Sequence, residues 1–212
     1  MEIAIIDYGM GNLKSVQKAF TALDFKAEIT ADPEEIVKAD KVVLPGVGAI
    51  RDAIHTLNQT GLSQAIGEVV QKGTPLLGIC LGMQLLFEKS YEHGVYEGLG
   101  LLPGEIVRLE NRKDEEGSVS QGERLKVPHM GWNQLEITKS APLFQGLEEE
   151  SSVYFVHSYY LETTADIVSS YTTYGKRIAV AAQKDHIFAT QFHPEKSVSV
   201  GLHILKNFGG IR

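Results

Sequence analysis

The chain has 212 residues, 43% hydrophobic and 22% charged, with 27 acidic against 20 basic side chains and a formal net charge of -7. A chain this long buries roughly 70% of its unfolded surface without a disulfide or structural metal, and the composition argues against disorder, so one domain over 1–212 is expected. The acidic balance makes nucleic acid or an anionic membrane a poor partner, and the single cysteine excludes an internal disulfide and a cysteine-rich zinc site.

Apolar runs such as Thr74–Ile79 are far too short to span a bilayer. The strand-like start at Glu2–Asp7 follows no basic segment and no cleavage pattern, so no export signal is expected. A lone cysteine fits a reducing cytoplasm.

In chain order, Ile3–Ile6 reads as a β-branched strand ending at Asp7-Tyr8-Gly9. Leu13, Val16, Phe20 and Leu23 then follow at helical spacing. Lys26–Thr30 is a second strand. Asp32-Pro33-Glu34-Glu35 is an N-cap with proline at the first helical position, opening a short helix to Lys38. Lys41–Leu44 is a third strand, stopped by Pro45-Gly46. Helices are expected over Ala49–Leu57 and Leu62–Gln71, a fourth strand over Pro75–Ile79 and a helix over Leu81–Glu88. Apolar strands alternating with helices imply an α/β fold with a parallel sheet.

The second half changes character. Strand patterns cover Gly104–Glu110, Gln134–Thr138, Val153–His157, Ile167–Tyr174, Ile178–Gln183 and His186–Phe192, with no helix until Ser197–Phe208. Mixed or antiparallel strands should therefore extend the sheet. Asn111–Glu123 is polar and turn-rich and reads as a mobile surface hairpin.

The most informative run is Gly78-Ile79-Cys80-Leu81-Gly82, where a strand hands over to a helix. A sharp strand-to-helix turn needs room beside a strained central residue, and the two glycines supply it. The pattern is the thiol counterpart of the Gly-x-Ser-x-Gly elbow. Free N–H groups and partial positive charge at the helix start favour the thiolate. Cys80 therefore reads as a nucleophile rather than as a small buried hydrophobe.

A thiolate needs a base, and the base needs an orienting group. In Gln191-Phe192-His193-Pro194-Glu195, residues two apart in extended chain point the same way, so His193 and Glu195 can face one site. Pro194 biases His193 to extended geometry. Alone, this run could simply end a strand; beside the cysteine turn it reads as base and orienter. Leu44-Pro45-Gly46-Val47-Gly48 leaves a strand at the same sheet edge, and its backbone N–H groups could stabilise an oxyanion or merely form a turn. Gly9-Met10-Gly11 lacks the third glycine of a dinucleotide site, since residue 14 is Lys14, and reads as a tight turn. No cofactor and no metal are expected.

The Gly78–Gln84 and Gln191–Glu195 runs resemble the two signatures of class I (triad) glutamine amidotransferases. Ile6–Asn12, Leu44–Ala49, Pro128-His129-Met130-Gly131-Trp132-Asn133 and Val156–Tyr160 narrow the resemblance to the glutaminase subunits of imidazole glycerol phosphate synthases. It implies a flavodoxin-like open sheet, mainly parallel, with added mixed strands and helices on both faces. It further implies attack by Cys80 on the side-chain amide of glutamine, with His193 as acid and then base and Glu195 as its orienter. The Leu81 N–H and the Gly46-Val47-Gly48 backbone would hold the oxyanion, and Gln84, Ser158 and Tyr159 the substrate. A separate (β/α)8-barrel cyclase would receive the ammonia, since a barrel of about 250 residues cannot fit in this chain. Its contacts by resemblance are Asn12, Met130, Trp132 and Lys196. The two glycines around Val47 suggest that the oxyanion donors align only when a loaded cyclase docks. A glutaminase serving another synthase (anthranilate or pyridoxal phosphate), a γ-glutamyl peptidase and a non-catalytic α/β interaction module are the competing readings.

Overall fold

The computed structural model describes residues 2–109, 125–148 and 150–211. The run expected to be a surface hairpin, Asn111–Glu123, lies outside them.

The first half alternates as the periodicities imply: β1 (Glu2–Ile6), α1 (Leu13–Thr21), β2 (Lys26–Thr30), α2 (Pro33–Lys38), β3 (Lys41–Gly46), α3 (Ile50–Gln59), α4 (Leu62–Gln71), β4 (Leu76–Cys80) and α5 (Leu81–Leu85). Short strands β5 (Lys89–Ser90) and β6 (Tyr96–Glu97) follow, then β7 (Glu105–Arg108), β8 (His129–Gln134), β9 (Glu136–Ile137), β10 (Ser152–His157) and β11 (Tyr159–Glu162). The chain closes with β12 (Val168–Tyr174), β13 (Lys176–Lys184), β14 (Ile187–Thr190) and α6 (Val198–Gly210).

The main sheet runs β2-β1-β3-β4-β14-β13-β11-β7-β5-β6. Its first five strands are mutually parallel, and the following pairs, β14 with β13, β13 with β11 and β11 with β7, are antiparallel. Strands β8 and β10 form a separate antiparallel ribbon. The order of the parallel part, with β14 as fifth strand, is that of flavodoxin-like sheets.

Parallel strands are buried on both sides, and successive residues supply opposite cores. Ala4, Ile6, Val42 and Leu44 pack with Ile36, Ala53, Leu57, Ile66 and Val69 beneath α2, α3 and α4. Ile3, Ile5, Val43 and Leu77 pack with Val16, Phe20, Ile204 and Phe208 beneath α1 and α6. Local signals hold the helix starts in register. Asp32 accepts the Glu34 N–H at 2.8 Å with Pro33 next to it, a cap that contributes about 1 kcal/mol.

Five expectations change. The strand expected to stop before Pro45-Gly46 runs through both, which pair with Ile79 and Cys80. The helix expected to Glu88 stops at Leu85, because Leu86 and Phe87 turn back on Met83 and Gln84. The strand expected to Phe192 stops at Thr190, and the chain then bends out of the sheet. The strand read as Gln134–Thr138 is two: β8 begins earlier, at His129, and β9 is a short separate piece. Strand β11 follows β10 after one residue and pairs elsewhere, with β7 and β13.

Candidate active site

The C-terminal ends of the parallel strands converge at one edge, where open α/β sheets place their ligands. Gly46 at the end of β3 pairs with Cys80 at the end of β4. Cys80 has φ 56 and ψ -110, a strained conformation for a residue with a side chain. Its neighbours make the turn possible. A Cβ on Gly82 would lie 1.7 Å from the Leu44 carbonyl oxygen, and one on Gly78 would lie 2.8 Å from the Gly82 carbonyl oxygen. Only glycines let β3, β4 and α5 approach this closely, and that approach pushes the Cys80 side chain out toward the cleft.

His193 follows β14 after a bend. Its backbone N–H donates to the Tyr154 carbonyl at 3.0 Å, and the Ser197 hydroxyl donates to the His193 carbonyl at 2.6 Å while accepting the Tyr154 N–H at 3.0 Å. These bonds clamp the turn to β10. His193 is extended (φ -100, ψ 96), as Pro194 demands, and a 3-10 turn over Pro194–Lys196 then brings Glu195 beneath it. The contact is therefore made by a turn, where the sequence suggested extended chain. Glu195 Oε1 lies 2.8 Å from His193 Nδ1, and both side chains are 2% exposed. Nδ1 is taken by the carboxylate, and among the described residues Nε2 has no hydrogen-bond partner of ordinary geometry. Burial works to lower the imidazole pKa. The neighbouring Cys80 thiol and the Glu195 carboxylate outweigh it and push the value up to about 10. His193 therefore holds its proton, available to a departing amine.

A cavity of about 440 Å³ opens over the sulfur. Val47, Gly48, Leu81, Gln84, Ser158 and Tyr159 line it together with Cys80 and His193. A larger cleft of about 590 Å³, between Gly104–Glu105 and Glu162–Ala165, contains neither Cys80 nor His193, so reactive groups and not size select the site. Gly46 lies just behind the pocket wall. A Cβ there would sit 2.2 Å from the Tyr8 hydroxyl, which is buried without a hydrogen-bond partner. Burial first, and the charge of Cys80 second, raise the Tyr8 pKa.

Asn12, Met130, Trp132 and Lys196 do not line this cavity. All four are exposed. Met130 and Trp132 are 62% and 54% accessible, large values for apolar side chains. Trp132 packs edge-on against Tyr154 at 6.1 Å, and the Lys196 ammonium lies 5.9 Å from the same tyrosine ring.

Sequence reasoning missed several residues of the pocket. Glu92 and Arg108 bring opposite charges to it, suited to the ammonium and carboxylate of an amino acid. Gln191 donates to the sulfur at 3.8 Å and accepts from Gln84 Nε2 at 3.0 Å. His157 lines the pocket with its ring bonded to His129 at 3.0 Å. Gln191, His129 and His157 stand inside the diagnostic runs, yet nothing in their spacing marks them. Among the described residues, no group of three His, Cys, Asp or Glu side chains could hold a metal ion, and no helix is long and apolar enough to cross a membrane.

The arrangement has close relatives. The chain is 52% identical over 212 residues to the imidazole glycerol phosphate synthase subunit HisH of Geobacter sulfurreducens, covering 100% of this chain and 99% of that one. It is 53% identical over 208 residues to the same-named subunit of Syntrophotalea carbinolica, covering 98% of each. A putative GMP synthase subunit from Thermoplasma acidophilum superimposes with a TM-score of 0.70 at 21% identity, over 99% of this chain and 92% of that one, a likeness of fold. The sequence pattern of the family described as "Glutamine amidotransferase class-I" matches residues 4–210, and with full-length relatives above 50% identity this chain belongs to that family.

Proposed function

We propose that this chain is the glutaminase subunit of an imidazole glycerol phosphate synthase, in which Cys80, His193 and Glu195 hydrolyse glutamine and a separate subunit uses the ammonia. The observation that carries this reading is the strained Cys80 beside an imidazole that Cys80 and Glu195 together hold protonated, in a chain that matches the named subunits over its whole length.

The Cys80 sulfur adds to the amide carbon of the glutamine side chain. The oxygen takes negative charge beside the Leu81 N–H and the backbone of Gly46-Val47-Gly48. His193 gives its proton to the nitrogen as the C–N bond breaks, leaving ammonia and a γ-glutamyl thioester on Cys80. A water then loses a proton to His193 and adds to the thioester carbon, which releases glutamate and the thiolate. Glu195, bonded at Nδ1, keeps Nε2 turned to the reacting atoms and stabilises the imidazolium. Gln84, Ser158 and Tyr159 orient the amino-acid end of the substrate.

Ammonia released to neutral water becomes ammonium and ceases to be a nucleophile, so the reading requires a receiver. A (β/α)8-barrel cyclase that docks on the face carrying Asn12, Met130, Trp132 and Lys196 meets that need. It would convert a ribulosyl phosphate compound to imidazole glycerol phosphate and an aminoimidazole carboxamide ribotide in histidine biosynthesis, in the cytoplasm. Gly48, at φ +105, lets the oxyanion backbone turn when the partner arrives.

The test is a rapid quench after mixing with glutamine, followed by mass spectrometry of the Cys80 peptide. A γ-glutamyl adduct is expected. Glutamate accumulating while Cys80 stays unmodified overturns the thiol mechanism. Glutamine hydrolysis that is the same with and without a ligand-loaded cyclase overturns the coupling.

A further inference from the structure

Two buried histidines have no part in the reaction above. His129 and His157 face each other across the β8–β10 ribbon, in register. His129 is 3% and His157 5% exposed. The His129 ring is stacked between Phe155 at 4.7 Å and Tyr174 at 4.0 Å. A phenylalanine would serve such a stack as well and would leave no polar atom to satisfy.

The polar atoms are satisfied in one direction only. The Tyr159 carbonyl can only accept, so His157 Nδ1, 2.9 Å away, must donate. Burial pushes both imidazoles down to about 4, so each is neutral and carries one N–H. His157 Nε2 must then accept from His129 Nδ1 at 3.0 Å. His129 Nε2 in turn accepts from the Asn133 amide at 3.4 Å, and that amide is oriented by its 2.9 Å bond to the Thr173 carbonyl. At the other end, the Tyr159 carbonyl also accepts from Gln84 Nε2 at 3.3 Å. Gln84 passes the chain to Gln191 at 3.0 Å, and Gln191 donates to the Cys80 sulfur at 3.8 Å. The tautomers follow from this network.

We propose that His157 and His129 are positioning residues of the glutamine pocket: the pair holds the Tyr159 carbonyl, and through it the Ser158–Tyr159 wall and the Gln84 amide, where the substrate binds. The proposal rests on the glutaminase reading. Neither imidazole gives or takes a proton in the reaction; each acts through Tyr159. Removing the His157 donor leaves a buried carbonyl short of a partner and lets the wall shift, which weakens substrate binding.

Cys80 is the only cysteine, so its alkylation by iodoacetamide reads one site, and the glutamine concentration giving half-protection reports binding. In the full-length chain, His157→Leu is expected to raise that concentration about tenfold, the loss of one buried hydrogen bond. His157→Asn, which keeps an N–H near the Nδ1 position, should stay within about threefold of wild type. Half-protection is scored against each variant's own alkylation rate without glutamine. Unchanged half-protection in a folded His157→Leu, with only a lower melting temperature, overturns the proposal and leaves the pair purely structural. His157→Asn binding as poorly as His157→Leu overturns it too. If His157→Leu does not fold by circular dichroism, His129→Leu replaces it. That variant leaves His157 Nε2 unpaired and should weaken protection about threefold, and an unchanged value overturns the proposal. Absence of protection in the wild type is a different failure, because it removes the glutaminase reading itself.

Discussion

The parallel half of the sheet and the antiparallel ribbon contribute to the same cleft in different ways. In β3 and β4 every residue is buried, and the strands end in tight backbone turns at Gly46 and Cys80. In β10 burial alternates residue by residue, and the inward positions include His157. The parallel half positions the reacting atoms with backbone geometry, which packing on both sides makes rigid. The ribbon and the start of β11 supply side chains and carbonyls that line the same cavity. Damage to the first should therefore appear in turnover, and damage to the second in binding.

The largest expected effect lies in the parallel half. Cys80→Ala should lower kcat for glutamine hydrolysis by about 10⁴ or more, since no other group can form the thioester. Glutamine binding should persist, measured by calorimetry. Activity above about 1% of wild type would contradict the division of labour, because the nucleophile would then lie elsewhere.

Gly82→Ala tests the same half through packing. The new methyl group would meet the Leu44 carbonyl oxygen at 1.7 Å and its carbon at 2.7 Å, backbone of a buried strand that cannot swing aside. A loss of about 3 kcal/mol or more is expected from urea denaturation. Gly61→Ala is the control. Its φ is +76 but nothing lies within 4 Å of the added atom, so only the backbone term of about 1 kcal/mol remains. A loss at Gly82→Ala no larger than the control's would show that β3 and α5 can part enough to admit the methyl group, and that their close approach does not depend on the glycine.

The same contrast decided what could be read from sequence. The parallel half was legible because each of its signals is local. Asp32-Pro33 starts a helix, and Gly78 and Gly82 bracket Cys80 within five residues. The ribbon was legible by half. Strand β10 was expected as Val153–His157, but β8 carries Gly131 and no regular alternation, and it takes shape by pairing with β10, some twenty residues later. Strand β11 follows β10 after a single residue, so no turn signal separates two strands that join different sheets. The site divided in the same way. Cys80, His193 and Glu195 lie in short distinctive runs. Gln191 gains its place from Cys80 and Gln84, more than a hundred residues away, and His157 from His129 on the facing strand, and no spacing rule reports that.

Histidine itself offers a comparison within one residue type. His157, in the ribbon, is pushed down to about 4 chiefly by burial, while the Cys80 and Glu195 contacts hold His193 up at about 10. The signs oppose. For His157 the unfolded chain binds the proton first. Its contribution is complete above pH 6.5 and is lost as pH falls toward 4, by roughly 2–3 kcal/mol. For His193 the folded state binds the proton more tightly. Its contribution is complete below pH 6.5 and fades as pH rises through 10. Urea midpoints of the wild type should decline on both sides of a maximum near neutrality. In His157→Asn the acid limb between pH 6.5 and 4 should flatten while the alkaline limb stays. An acid limb identical in variant and wild type would mean that His129, also pushed down to about 4 by burial, and the carboxylates set it.

The smallest effect on stability is expected at the outer face of the ribbon. Trp132 is 54% exposed and touches Tyr154 only edge-on, so Trp132→Ala should cost the isolated chain no more than about 1 kcal/mol. A large aromatic side chain that contributes so little to its own fold has its value at a surface, and aromatic residues dominate the binding energy of protein interfaces. The same substitution should therefore weaken docking of a barrel cyclase by about 2 kcal/mol or more, close to thirtyfold in Kd by titration calorimetry. A stability loss above about 3 kcal/mol would place Trp132 in the packing of the ribbon instead, and the distinction between its inner and outer faces would then fail.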